Sequence, residues 1–140
     1  MELYRENKET QQVLDGFFGA TAKNSPLEVI QYMDENVDFY IAESPHMPWT
    51  GMKKGKKAVL KALEQLIDAH DTTKDNFEMN HIFIDGSEAA VFGKAGRTVK
   101  GTGKAFKENF CMKFTIHDGL ITKFLMLEDS HLIEKAFIQN

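Results

Sequence analysis

The stretch "KAFKENFCMKFTIHDGLITKFLMLED", residues 104–129, decides the fold, because it has the pattern of two long β-strands joined by a tight turn. Side chains alternate through its first half, so that Phe106 and Phe114 share one side with Glu108. "HDGL" has the composition of a hairpin turn, and the two strands should therefore be antiparallel neighbours. The side rich in phenylalanine must face a covering layer, since such a sheet usually buries one face.

Two further strands precede this pair. "NFEMNHIFI" at 76–84 and "EAAVFGKAGRTV" at 88–99 have strand composition, and "DGS" and "KGTGK" separate the strands as turns. A tight turn at "KGTGK" predicts a register with Arg97 opposite Phe106 and Ala95 opposite Glu108. The inward residues of the strand 88–99 are then small and face large ones, which leaves room for helix side chains or for a ligand. These small residues are Ala89, Val91, Gly93 and Ala95.

The first half of the chain predicts helices. Apolar residues recur at helical spacing from about 6 to 23, and Ser25 and Pro26 fit the N-cap and first position of a second helix. "VDFYIA" follows as a short strand, and a third helix runs from about 55 to 70. "DSHLIEKAF" closes the chain as a short helix. The predicted order is α-α-β-α-β-β-β-β, an α+β domain with helices on one face of a curved antiparallel sheet.

Length and composition narrow the classes of function. The 140 residues suit a single domain, 1–140, and the net charge of −4 argues against nucleic acid or an anionic membrane as partner. The polar N-terminus is unlike a signal peptide, and the single Cys111 cannot form an internal disulfide, which favours the cytoplasm. The five histidines and one cysteine lack metal-ligand spacing, so neither a metal nor another cofactor is expected.

The last strand, "LITKFLMLED", is apolar on both faces. Strict alternation puts Ile121, Leu125 and Leu127 on one side, and Phe124 and Met126 on the other. A strand that is apolar on both sides needs cover on both sides, and the helices can cover only one. We therefore expect a homodimer that packs sheet against sheet.

Six segments along the chain resemble those of a known family. The segments "WTG", "GKKAVL", "DGSEAAV", "GTGKAF", "FTIHDGLI" and "LED", in this order, are similar to the SnoaL-like branch of the NTF2-like superfamily, which includes ketosteroid isomerase, scytalone dehydratase, limonene epoxide hydrolase and the polyketide cyclases. The resemblance implies a cone-shaped fold with a deep apolar cavity, and commonly a dimer. It implies no single activity, because the fold hosts many.

The resemblance also suggests a role for Trp49 in the proline-rich loop "SPHMPWTG". In similar proteins the loop after the first strand borders the mouth of the cone, so Trp49 would line the cavity, although it could equally plug the core. The expected ligand is a small hydrophobic molecule. The expected wall consists of Phe17, Phe39, Ile41, Trp49, Val91, Phe110, Met112 and Phe114.

The catalytic positions of ketosteroid isomerase are not retained. By the resemblance, its tyrosine, its aspartate base and its second aspartate fall on Phe17, Ile41 and Met112. None of these side chains can abstract a proton or donate a hydrogen bond, so steroid isomerisation is not expected. Glu43, two residues beyond Ile41, could act as a base only if the loop slips.

Other candidate catalytic groups remain open. Arg97 with Glu108 is either an ion pair at the rim or a polar group at the mouth of the pocket. Asp129 is either a second carboxylate of an epoxide-hydrolase-like site or the cap of the last helix. His81 with Asp129 or His131 could form the pair that a dehydratase needs, and the direction of His81 is undecided. The functions considered are a small-molecule binding protein, a lyase, isomerase or hydrolase with a non-standard His/carboxylate site, and a protein-interaction module.

Overall fold

The computed structural model describes residues 2–139. These residues form four α-helices and one six-stranded sheet, which matches the predicted α+β class. Short 3₁₀ turns follow α2 and α3. The helices are α1 Glu2–Ala22, α2 Pro26–Val29, α3 Lys56–Asp68 and α4 Ser130–Phe137, and the strands are β1 Met33–Ile41, β2 Gly51–Lys54, β3 Asn76–Asp85, β4 Glu88–Thr98, β5 Ala105–His117 and β6 Leu120–Glu128.

The strand order is β2-β1-β6-β5-β4-β3. The meander from β3 to β6 is antiparallel, and the predicted register between β4 and β5 is confirmed, with Arg97 opposite Phe106 and Ala95 opposite Glu108. Two details differ from the prediction. β1 runs parallel to β6, and "GMKK" forms the edge strand β2 where a loop was expected. Four residues at a sheet edge are too few for a periodic pattern to mark a strand.

A β-bulge in β6 corrects the predicted faces of that strand. The pairing shifts between Thr115 and Ile116, and Ile116 lies opposite Ile121. Ile121 is therefore fully buried on the same side as Phe124, and not on the side of Leu125 and Leu127. A bulge adds one residue to one strand and reverses the alternation beyond it, which a strict period of two cannot foresee.

The core lies between the helices and the concave face of the sheet. The rings of Phe39 and Phe124 stack with centroids 4.5 Å apart, and Phe17 of α1 contacts Phe114 edge to face at 5.3 Å. The capped start of α2 is confirmed, since Ser25 Oγ accepts a hydrogen bond from the Glu28 N–H at 3.4 Å. Within residues 2–139, no helix is long and apolar enough to cross a membrane.

The convex face of the sheet carries a row of apolar side chains. Phe92 of β4 lies opposite Cys111 of β5, which lies opposite Leu127 of β6. Phe92 is 45% exposed and Leu127 49% exposed. The row continues from Leu125 through Tyr40 to Met52, and Phe83 packs edge to face on Phe92 at 6.1 Å. Met126 lies on the other side, packed against the core, so this face is formed by other residues of β6.

Candidate functional site

Five polar side chains gather at one end of the cone. Arg97 lies near the end of β4, Glu108 near the start of β5, and Glu128 at the end of β6. The register brings these strand positions together, because Glu108 is opposite Ala95 and Glu128 is opposite Phe110. His70 follows α3, and Asp75 immediately precedes β3.

Glu108 and Glu128 form a carboxyl pair. Glu108 is only 4% exposed, and its Oε1 accepts a hydrogen bond from the Asp129 N–H at 3.0 Å. Within residues 2–139, its Oε2 finds no N–H or O–H donor. An orphan carboxyl oxygen is costly unless it carries a proton and becomes a donor itself. The orphan oxygen therefore favours a protonated Glu108, with Glu128 as the neighbouring carboxyl.

The electrostatics agree with this assignment. Burial, and next the charge of Glu128, raise the pKa of Glu108 to about 8. Burial also raises the pKa of Glu128, while the hydrogen bond from Glu108 and the charge of Arg97 oppose that rise. With a pKa of about 8, Glu108 keeps its proton at neutral pH, as expected where a second carboxyl lies close by.

Arg97 is held by Asp75. Its Nε donates to Asp75 Oδ1 at 3.2 Å and its Nη2 donates to Oδ2 at 3.1 Å. The side chains are only 11% and 9% exposed, and the guanidinium lies over the ring of Phe77 at 5.3 Å. The structure thus pairs Arg97 with Asp75, not with Glu108 as the sequence suggested. The two-pronged geometry suits arginine and fixes its charge beside the carboxyl pair.

His70 is a buried histidine with a defined tautomer. Its side chain is 3% exposed, and Nδ1 lies 2.7 Å from the Leu66 carbonyl oxygen, so Nδ1 carries the proton of the neutral ring and donates it. Burial, and next the charge of Arg97, lower the pKa of His70 to about 4. The ring is therefore neutral at pH 7, and its Nε2 is a hydrogen-bond acceptor.

The lowered pKa of His70 predicts a pH effect on stability. The unfolded chain binds a proton near pH 6.5 and the folded protein only near pH 4, so the contribution of His70 is complete above pH 6.5 and is lost as the pH falls toward 4. We expect His70→Gln to remove the decrease in the free energy of unfolding that His70 causes at low pH. Denaturant unfolding between pH 4 and 7 measures it. His117→Gln is the matched control, because the His117 side chain is 77% exposed. Equal pH profiles for the wild type and His70→Gln would contradict the assignment.

Trp49 lies against His70. The proline-rich loop is closed by Thr50, whose Oγ1 accepts from the Ser44 N–H at 2.9 Å and donates to the Met47 carbonyl at 2.6 Å. This closure turns Trp49 inward to 5% exposure, with its ring 5.7 Å from His70 and 5.5 Å from Phe137. Trp49 is thus a buried wall of the polar cluster.

Of the other sequence candidates, only Asp129 lies beside the cluster, through its N–H. His81 points to the convex face beside Phe83 and is exposed, as are Glu43 and His131. Asp129 caps α4, since its Oδ1 accepts from the Leu132 N–H at 3.3 Å, so the helix-cap alternative is confirmed. The pair of His81 with Asp129 or His131 is not formed.

The eight predicted wall residues form the interior of the cone. Seven of them are at most 5% exposed, and Met112 is partly buried and packs on the core. Much of the space between them is filled, since the Phe110 ring lies over Gly93 and the Phe17 and Phe114 rings are in contact. Binding of a small molecule by these residues stays a prediction. They are Phe17, Phe39, Ile41, Trp49, Val91, Phe110, Met112 and Phe114.

Two open grooves flank the polar cluster. One, of about 640 Å³, is bordered by His70 together with Lys100 and loop residues that include Asn24 and Thr72. The other, of about 660 Å³, lies between the start of β5 and α4 and includes Phe106. Within residues 2–139, no three His, Cys, Asp or Glu side chains converge as metal ligands.

Sequence reasoning missed three members of the cluster. His70 extends the apolar stripe of α3 by one turn beyond Leu63, Leu66 and Ile67, and a histidine in that place is a detectable signal. Glu128 shares the side of Phe124 and Met126, so alternation could have marked it as inward. No sequence pattern marks Asp75, which directly precedes β3. Only the folded chain reveals it as the partner of Arg97.

The chain belongs to the SnoaL-like domain family, which matches residues 14–124. No curated protein matches the chain. Among solved structures, an NTF2-like protein from Burkholderia xenovorans has a TM-score of 0.79 at 18% identity, covering 94% of this chain and 98% of that chain. TerC, crystallised with polyporic acid, has a TM-score of 0.81 at 15% identity, covering 92% and 98%. An LEH-like epoxide hydrolase from M. tuberculosis has a TM-score of 0.72 at 14% identity, covering 94% and 91%. These likenesses establish the NTF2-like cone and leave the activity open.

Proposed function

We propose that this SnoaL-like domain is an enzyme that transfers protons on a small apolar molecule, as a lyase, isomerase or hydrolase. The observation that carries the proposal is the buried carboxyl pair of Glu108 and Glu128. A buried carboxyl that keeps its proton near pH 7 is more typical of a working acid than of a structural group. Apolar residues around the pair would exclude water from the reaction.

The two carboxyls have complementary roles. The proton held by the pair is donated to a substrate oxygen, and the ionised carboxylate accepts a proton from the substrate or from water, so one turnover restores the starting state. Glu128 keeps part of its surface accessible, and the charge of Arg97 opposes the rise of its pKa, so it acts as the base. Glu108 is the acid.

Arg97 and His70 complete the site as a fixed charge and a hydrogen-bond acceptor. Arg97 is fixed by Asp75 and supplies a constant positive charge that stabilises negative charge developing on the substrate. His70 is neutral, and its Nε2 accepts a hydrogen bond from a substrate hydroxyl. Trp49 and Phe106 flank the imidazole and give the apolar part of the substrate its contact surface.

The test is a panel of small apolar substrates that differ in reaction type. It comprises epoxides for hydrolysis, β-hydroxy ketones for dehydration and β,γ-unsaturated ketones for isomerisation. We expect saturable turnover of one class, with no measurable turnover of steroids, because Phe17, Ile41 and Met112 occupy the steroid isomerase positions. Turnover that is equal in Glu108→Gln and the wild type would exclude the carboxyl pair as the catalytic group.

Binding without turnover is the second candidate function, and the apolar, aromatic lining of the interior around Trp49 favours it. Trp49 is the only tryptophan, so its emission has a single source. We expect hydrophobic ligands to shift or quench this emission saturably, and Val91→Trp, which fills the interior, to abolish binding. If native mass spectrometry shows bound ligands but the Trp49 emission of the wild type does not change, Trp49 is a plug of the core and not part of the binding site.

We further propose a homodimer through the convex face of the sheet. Phe92→Lys introduces a charge into the apolar row of Phe92, Cys111 and Leu127, and we expect it to yield monomers at tens of micromolar in light scattering, a concentration at which the wild type is dimeric. Leu27→Lys is the matched control, because Leu27 is 65% exposed on α2, away from the sheet. A monomeric wild type would refute the dimer.

A further inference from the structure

The groove between β5 and α4 has a strand edge as one wall. β5 begins at Ala105, but its pairing with β6 begins only at Phe110, so the first residues of β5 pair with β4 alone. α4 lies beside this open edge and encloses about 660 Å³ with it. Two hydrogen bonds fix the helix there, from Thr102 Oγ1 to the Ala136 carbonyl at 2.6 Å and from Lys104 Nζ to the Ile138 carbonyl at 2.5 Å. The groove is lined by Lys104, Ala105, Phe106, Lys107, Leu132, Lys135 and Ala136.

The charge of this groove is one-sided. Three of its seven lining residues are lysines and none is acidic. Within residues 2–139, no carboxylate lies within 4.0 Å of the ammonium group of Lys107 or Lys135. Lysines that line one groove without a neighbouring carboxylate give it a positive potential that attracts an anion. This is notable because the whole chain carries a net charge of −4.

The floor of the groove is apolar and adjoins the acid–base cluster. Phe106, Leu132 and Ala136 form the floor. Phe106 also contacts His70, with ring centroids 6.1 Å apart, and Phe137 contacts His70 at 5.5 Å. Phe106 is thus shared between the groove and the polar cluster.

We infer that this groove binds the anionic end of an amphipathic organic acid, a carboxylate or sulfonate, with its apolar part against Phe106 and Leu132. The inference rests on the proposed function, because the molecule bound in the groove is taken to be the substrate of the carboxyl pair. That substrate would then have an anionic end. Lys107 and Lys135 supply the charge, and the apolar floor supplies contact area toward His70. A neutral apolar molecule of the same shape gains only the contact with the apolar floor and not the attraction of the lysines.

The test compares two probes that differ by one charge, anilinonaphthalenesulfonate and its uncharged parent, N-phenylnaphthylamine. In Lys107→Gln/Lys135→Gln we expect the Kd of the sulfonate to rise about tenfold, since contacts with two exposed charges each contribute only modestly to affinity. The Kd of the uncharged probe should stay within about twofold. Lys53→Gln/Lys57→Gln, which removes two lysines remote from the groove, is the matched control.

Two results would overturn the inference. One is an equal loss of affinity for both probes, which indicates no selective contact with the anion. The other is a sulfonate affinity that depends on Phe92 of the convex face and not on the two lysines. Repeating the titration in Glu108→Gln separates this inference from the proposed function. If sulfonate binding in Glu108→Gln depends on the two lysines and no variant shows turnover, the groove is supported and the enzyme proposal is rejected. If turnover is found but sulfonate binding does not depend on the lysines, the enzyme proposal is supported and the groove is rejected.

Discussion

Glu108→Gln should lower turnover by about 10²–10⁴, the usual contribution of a positioned acid or base. Glutamine keeps the shape of the side chain and can still hydrogen-bond to Glu128, but it has no proton to transfer. The loss should therefore appear in kcat, with little change in KM for a substrate that is held mainly by apolar contacts. Steady-state kinetics on the substrate identified by the panel measure it.

The same substitution should change the pH dependence of stability. The folded protein keeps the Glu108 proton up to about pH 8, whereas the unfolded chain releases it near pH 4.5, so the stability from this group is complete below pH 4.5 and is lost as the pH rises through 8. Glu108→Gln should unfold at a denaturant concentration that varies less over this range. Glu78→Gln, at an exposed glutamate of β3, is the control and should leave both kcat and the pH profile unchanged.

Gly93→Ala should destabilise the fold strongly. A Cβ at Gly93 would lie 2.1 Å from the Glu78 carbonyl oxygen and 2.7 Å from Phe110 Cζ. The first neighbour is backbone beside the β-bulge of β3, and the second is a buried ring, so neither can move freely. We expect a loss of about 3 kcal/mol, seen as a fall in Tm on the order of 10 °C.

Gly96→Ala is the matched control on the same strand. Its Cβ would have ordinary contacts, the nearest being the Asn76 carbonyl oxygen at 3.6 Å. Its effect should stay within about 1 kcal/mol, because replacing glycine where the backbone is unstrained has a small effect and can even stabilise. Equal Tm values for the two variants would show that the close packing at Gly93 is not as described.

Alternation and turn composition predicted most of the sheet. The "KGTGK" turn is short enough to fix the register of β4 against β5, and alternation along β5 places Glu108 on the inner face. Ile121 shows the limit of the method. Because a bulge reverses the alternation, one extra residue put this side chain on the side of Phe124, and not on the side of Leu125 and Leu127 as strict alternation predicted.

The site was predicted less completely than the sheet. Arg97 and Glu108 were found because each is a charged residue on an apolar face, an exception that alternation detects. Asp75, the partner of Arg97, was not, since it lies in a connecting segment whose position depends on how α3 meets the sheet. Glu128, the partner of Glu108, was missed although alternation marks it as inward. The helix-capping role of Asp129 was predictable from local sequence, whereas the hydrogen bond from its N–H to Glu108 depends on the folded chain.

The central claim is that Glu108 carries a proton at neutral pH. Infrared difference spectroscopy of the full chain tests it directly, because a protonated carboxyl has a C=O band that a carboxylate lacks. The account predicts this band at pH 7 in the wild type, its disappearance with a midpoint near pH 8, and its absence from Glu108→Gln. A wild-type protein in which the band emerges only below about pH 5, near the ordinary pKa of glutamate, would contradict the account.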